Sequence, residues 1–207
     1  MTRKFSLALA MALSLMAIPA ATSHGAEFHA ETSPFLHGKQ EGTHVLSTTG
    51  GTVSCNNVTY LGVMVGKTST SAVIEPSFSS CTAFGFASAT VNNNGCDFQI
   101  TNARTVFLQS CDSAAGIIIT ASLFGTQKCV VSVPPQLMGS VNYTNIGAGT
   151  TREITIDWEL FAISYVETGG TGFGACTTSK TQFNGGYEGE AVLTGTVEGA
   201  HIGIWYA

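Results

Sequence analysis

The chain has 207 residues and few charges: 8 Lys and Arg stand against 13 Asp and Glu, a formal net charge of −5. Nucleic acid rewards clustered Lys and Arg, and an anionic membrane surface rewards a polybasic one, so this balance speaks against both partners. Once a leader is removed, the length suits one domain.

The first elements fix the compartment. Arg3 and Lys4 precede an apolar run, Phe5 to Ile18, which Pro19 ends and Ala20, Ala21, Thr22 and Ser23 follow. Positive start, short apolar middle and small-residue end are the layout of a secretory signal peptide. The run is shorter than the roughly 20 residues a bilayer needs, so it predicts cleavage rather than a stable membrane anchor. The small residues place the cut between Ser23 and Ala26. Residues 1–25 are therefore read as signal peptide, 26–42 as an irregular N-terminal segment with Pro34 and Gly38, and 43–207 as a β domain. The predicted product is secreted. It loses Arg3 and Lys4 but no acid, so it is more acidic than its precursor.

From Thr43 on, the pattern is β-type. Thr43–Thr49 and Thr52–Tyr60 flank Gly50-Gly51, a dipeptide suited to a two-residue hairpin turn because both positions tolerate positive φ. Thr68–Pro76 and Ala87–Val91 follow, and then Asn94-Gly95, a second turn signal, leads into Cys96–Thr101. Arg104–Ser110, Gly116–Phe124, Lys128–Val133 and Ser140–Asn145 read as further strands, and Pro134-Pro135 stops the third of these. In Thr151–Glu167, Ile154, Ile156, Trp158 and Leu160 alternate with Thr155, Asp157 and Glu159. The second face then turns apolar, which predicts a half-covered strand or a bulge near Leu160. Tyr187–Tyr206 offers two more. About ten or eleven short strands with regular turn signals predict an all-β, single-domain antiparallel sandwich or barrel.

Cys55, Cys81, Cys96, Cys111, Cys129 and Cys176 all follow the leader. An even count in an oxidising compartment reads as disulfides. Of the possible pairings, the sequential set is preferred: Cys55–Cys81, Cys96–Cys111 and Cys129–Cys176. Each loop is then short enough for contact between neighbouring strands. No CxxC knuckle exists, which disfavours structural zinc.

Glu27-Phe28-His29-Ala30-Glu31, Cys81-Thr82-Ala83-Phe84-Gly85, Asn94-Gly95-Cys96, Cys129-Val130-Val131 and Gly186-Tyr187-Glu188-Gly189 carry a resemblance. Together they resemble an uncharacterised group of small secreted proteins from actinobacteria. The resemblance spans nearly the whole mature chain and implies secretion and a cysteine framework. It implies no activity and no binding residues.

Candidate chemistry is sparse. Asp157 and Glu159 share one strand face about 6.5–7 Å apart, a spacing that suits a glycosidase pair but also the solvent face of an amphipathic strand. Asp97 and Asp112 each follow a cysteine, and a Cys96–Cys111 bridge would bring them together as a weak Ca²⁺ site or as plain surface acids. His29, His37 and His44 have no metal-ligand spacing and read as an exposed flexible run. Trp205 and Tyr206 are the aromatics most open to a sugar or peptide face. No nucleophile elbow or cofactor motif is found. Gly66-Lys67-Thr68 imitates a P-loop end, but Leu61 stands where that motif needs Gly.

Three readings follow. The first is a non-catalytic extracellular domain, structural or binding a glycan or protein surface. The second is a glycoside hydrolase-like enzyme using Asp157 and Glu159, which requires a cleft around both. The third is an inhibitor or effector of another protein, acting through a rigid loop at Gly169–Gly174. The first fits the composition best.

Overall fold

The computed structural model describes residues 25–123, 127–169, 176 and 179–207. Residues 1–24 of the predicted leader and most of the Gly169–Gly174 loop lie outside these residues. The described chain is almost entirely strand: β1 (Phe28–Ala30), β2 (Phe35–Thr48), β3 (Gly51–Val63), β4 (Thr68–Ser69), β5 (Ser71–Ala83), β6 (Ala87–Asn92), β7 (Asp97–Thr101), β8 (Thr105–Gln109), β9 (Ile117–Leu123), β10 (Gln127–Val133), β11 (Gln136–Ile146), β12 (Glu153–Gly169), β13 (Thr181–Val197), β14 (Ala200–Ile202) and β15 (Ile204–Tyr206).

These strands close into an antiparallel barrel. β2, β3, β5, β12 and β13 are long staves that run its full height. The three staves between β5 and β12 are each broken into two collinear pieces: β6 with β7, β8 with β9, and β10 with β11. β6 and β7 both pair with β5, at its opposite ends. β10 and β11 divide β12 in the same way. Each stave pairs with the next in sequence, and β13 returns to pair with β2 over ten positions. Eight staves in this order form an up-and-down barrel without a free edge, and a barrel of that size is filled by its own side chains.

The alternation along the strands explains the closure. Ile154, Ile156, Trp158 and Leu160 point inward from β12, while Asp157 and Glu159 point out. Inside, Trp158 stacks on Tyr60 at 5.7 Å and lies 5.4 Å from Phe98. The end holding both described termini is capped by the sheet β15-β1-β4. There Phe28 meets Tyr143 edge-on at 5.1 Å.

The wall is irregular at mid-height in stave after stave. β2 slips register between Lys39 and His44. β3 and β5 change their inward phase at Asn56-Asn57 and Ser79-Ser80. Asn93–Cys96, Ser110–Gly116 and Pro134-Pro135 break the next three. β12 bulges between Leu160 and Ile163, with Ala162 at φ 59°. The predicted bulge near Leu160 is thus present. Bulges bend a strand and increase its local twist, so a ring of them disturbs interior packing at one level.

Two disulfides tie this belt together: Cys55–Cys81 joins β3 to β5, and Cys96–Cys111 joins two of the breaks. The third, Cys129–Cys176, anchors the chain beyond β12 to β10. The pairing is the sequential one.

Two expectations need correction. Residues 26–42 are not irregular, because β1 and most of β2 lie there. Their inward positions are few, and one is Gly38, where a Cβ would come 2.6 Å from Leu193 and 2.8 Å from Tyr60. With glycine inward and His37, Lys39 and Glu41 outward, the stretch has the composition of a loop. The first hairpin turn is Thr49-Gly50 rather than Gly50-Gly51, since Thr48 pairs with Gly51. The turn expected at Asn94-Gly95 is present, with positive φ at both residues. It links β6 to β7 along the same neighbour.

Candidate functional site

Inside the belt is an apolar cavity of about 40 Å³. Its lining includes Leu46, Val53, Phe98, Ile117, Ile119, Val133 and Met138, which the alternation of their strands turns inward. Two further lining residues, Phe78 and Val91, are half-buried. They flank a gap in the wall. β5 pairs with β7 over Ser71–Ile74 and with β6 over Cys81–Ala83, so Glu75–Ser80 has no ladder partner on that side. Phe78 therefore stands at a window beside the cavity.

The cavity's polar contribution comes from His44 and Tyr187. His44 Nε2 donates to the Glu190 carbonyl at 2.9 Å, because a carbonyl only accepts. Nδ1 must then accept, and the Tyr187 hydroxyl donates to it at 2.7 Å. Tyr60 in turn donates to Tyr187 at 3.2 Å. Burial holds the His44 imidazole below the ordinary histidine value, partly offset by the bond to Glu190. Burial also pushes the Tyr60 and Tyr187 phenols well above theirs. Gly189 makes room for the ring, since a Cβ there would come 2.5 Å from Nδ1. The exposed run expected for His44 is therefore wrong: the ring is 1 % exposed. Its even spacing from Leu46 on β2 was the available signal.

A second polar group lies at the opposite end from the terminal cap. Glu167 is 0 % exposed. Its Oε1 accepts the Gly50 N–H from the β2–β3 turn at 3.1 Å, and its Oε2 has no partner among the described residues. Close by, the Tyr165 hydroxyl accepts the Thr49 N–H at 2.7 Å and donates to Asn184 Oδ1 at 3.0 Å. Glu167 pairs with Val131, which pairs with Ile119, which pairs with Val91. The carboxyl thus belongs to the same cross-strand row as two cavity-lining residues. Sequence reasoning passed over Glu167, although its odd-numbered phase with Ile163 and Tyr165 marks it as inward.

Asp157 and Glu159 lie on the outer wall. Across the ladder Asp157 faces Glu190 and Glu159 faces Glu188, and Glu190 faces Glu41 on β2. The five acids ring a shallow, open depression over β2, β12 and β13. The enclosing cleft that the hydrolase reading requires is not present around them.

Trp205 and Tyr206 belong to the terminal cap and are half-buried. Trp205 stacks with His29 at 5.4 Å, and the Arg152 guanidinium lies over its ring at 4.9 Å. Tyr206 packs on Tyr143 at 4.8 Å and donates to the Asn102 carbonyl at 2.6 Å. Both rings already have aromatic or cationic partners. His37 bonds Thr196 on the wall, so the three N-terminal histidines are dispersed. Asp112 packs against the Asn94-Gly95 turn, and burial, with Glu75 adding to it and a Ser110 hydrogen bond opposing, raises Asp97 above the usual carboxylate value. Among the described residues no group of His, Cys, Asp or Glu is arranged to hold a metal ion, and no helix is long and apolar enough to cross a membrane.

Comparison with known protein families, with curated proteins and with solved structures gives no match to this chain.

Proposed function

We propose that the protein is an exported, non-catalytic barrel that holds a small apolar ligand in its interior. Export rests on the leader-like start of the chain and on three disulfides, which persist in oxidising compartments. The observation that carries ligand binding is the cavity itself: an almost wholly apolar space at the level where the wall is bulged and broken, with half-buried Phe78 at its window. Apolar pockets in the interiors of barrels are common sites for small molecules. The space is well below the roughly 150 Å³ that holds benzene in a dry engineered cavity, so a guest enters as Phe78 swings outward. The lining Tyr187 hydroxyl and His44 imidazole already have hydrogen-bond partners, which favours a guest whose buried part is hydrocarbon.

The test is a titration of the oxidised mature protein with n-hexanol, followed by methyl NMR. Saturable shifts at Ile117, Ile119 and Met138, abolished by the space-filling substitution Ile119→Phe, are expected. Shifts confined to surface methyls, or none, would overturn the reading.

A further inference from the structure

We infer that Glu167 is the anchoring group for a cationic head, so that the preferred ligand is a small hydrophobic amine. This inference rests on the apolar-ligand reading above. A carboxyl removed from water without a cation or a full set of donors is costly. Glu167 is in that position: it is wholly buried, and among the described residues one oxygen takes a single backbone N–H and the other takes nothing. Among the described residues the ion pair is His201 with Glu153 at 3.3 Å, so no Lys or Arg answers Glu167. Its cross-strand neighbour Val131 and the adjacent Ile119 offer hydrocarbon only.

The placement fits one ligand shape. Glu167, Val131, Ile119 and Val91 stand side by side on four neighbouring strands. Two strand spacings, roughly 10 Å, separate Glu167 from Ile119 at the cavity. An ammonium at Oε2 would therefore project an alkyl or aryl body along this row into the cavity. An ammonium donates and cannot accept, which matches an oxygen that lacks a donor. The His44–Tyr187–Tyr60 chain is complete and makes no claim on the head group.

The experiment compares n-hexylamine with n-hexanol, in the wild type and in E167Q, at neutral pH by titration calorimetry. Hydrogen bonds to charged groups predict that the amine binds about tenfold or more tightly than the alcohol. E167Q keeps an acceptor for the Gly50 N–H and should lose that preference while still binding n-hexanol. The ¹³C shift of the Glu167 carboxyl in the wild type reads the same contact without a substitution. If n-hexanol binds and the amine is no tighter, or if the carboxyl shift does not move, the anchoring role is overturned while the cavity reading stands. If neither probe binds, both fall.

Discussion

His44 Nδ1 accepts a 2.7 Å hydrogen bond from the Tyr187 hydroxyl inside the barrel, and that bond exists only while the imidazole is neutral. Burial is the main reason the folded-state value of His44 lies below 6.5. The unfolded chain therefore binds the proton more readily than the folded one. The stability due to the neutral ring is complete above about pH 6.5 and is lost as pH falls below it. Urea unfolding between pH 5 and 7.5 should show stability falling with acid, and His44→Phe should flatten that slope while lowering stability at pH 7.5. Equal slopes in both proteins would exclude His44 as the source.

Trp158 fills the barrel between Tyr60 and Phe98 and is 1 % exposed. Trp158→Ala should cost about 3–5 kcal/mol, the range for emptying a large aromatic site in a core. That is a large part of the roughly 5–15 kcal/mol available to a domain. Denaturant midpoints with an unchanged m-value would establish it.

Gln136 spans the break at Pro134-Pro135. Its Nε2 donates to the Ser164 carbonyl at 2.7 Å and its Oε1 accepts the Ser164 N–H at 2.8 Å, in place of the ladder bonds the prolines cannot make. Gln136→Leu leaves both Ser164 groups unpaired, and about 1–3 kcal/mol of stability should go with them. Hydrogen exchange at Ser164 should accelerate in the variant more than at Ile156, and a uniform change would argue against a local bridge.

Asp157 opposite Glu190 and Glu159 opposite Glu188 are like charges facing one another on neighbouring strands, which destabilises a sheet. Glu188→Gln should therefore raise the Tm in low salt. The gain should shrink as sodium chloride screens the wall. A Tm that falls, or a gain insensitive to salt, would show that these acids do more than repel.

Mass spectrometry of a non-reduced digest should recover the three sequential pairs. Replacing Cys96 and Cys111 together by Ala should cost about 3 kcal/mol, the chain-entropy figure for a loop of that size. Recovery of any other pairing would overturn the framework.

Much of the fold was legible because the strands speak in period two. Ile154, Ile156, Trp158 and Leu160 show an inward face without any knowledge of what they face, and the change of pattern after Leu160 announces the bulge. The same rule failed for β2, where Gly38 occupies an inward site. The candidate site was far less legible. Asp157 and Glu159 attracted attention as a pair, yet the ladder sets them on the outside with three more acids. His44 and Glu167, the buried polar groups, looked ordinary because each is a single residue whose partners are distant: Tyr187 for one, Gly50 for the other.

By itself the sequence determined an all-β chain and the order of its strands, because these depend on local alternation; for the six cysteines it gave a preference for short sequential loops, and the structure made the choice. Only the tertiary structure decided that β13 closes on β2, that the bulges of separate staves fall at one height, and that the cavity and the Glu167 carboxyl share a row of strands. Those relations depend on register between residues far apart in the chain. Register is a property of the closed barrel and of no strand alone.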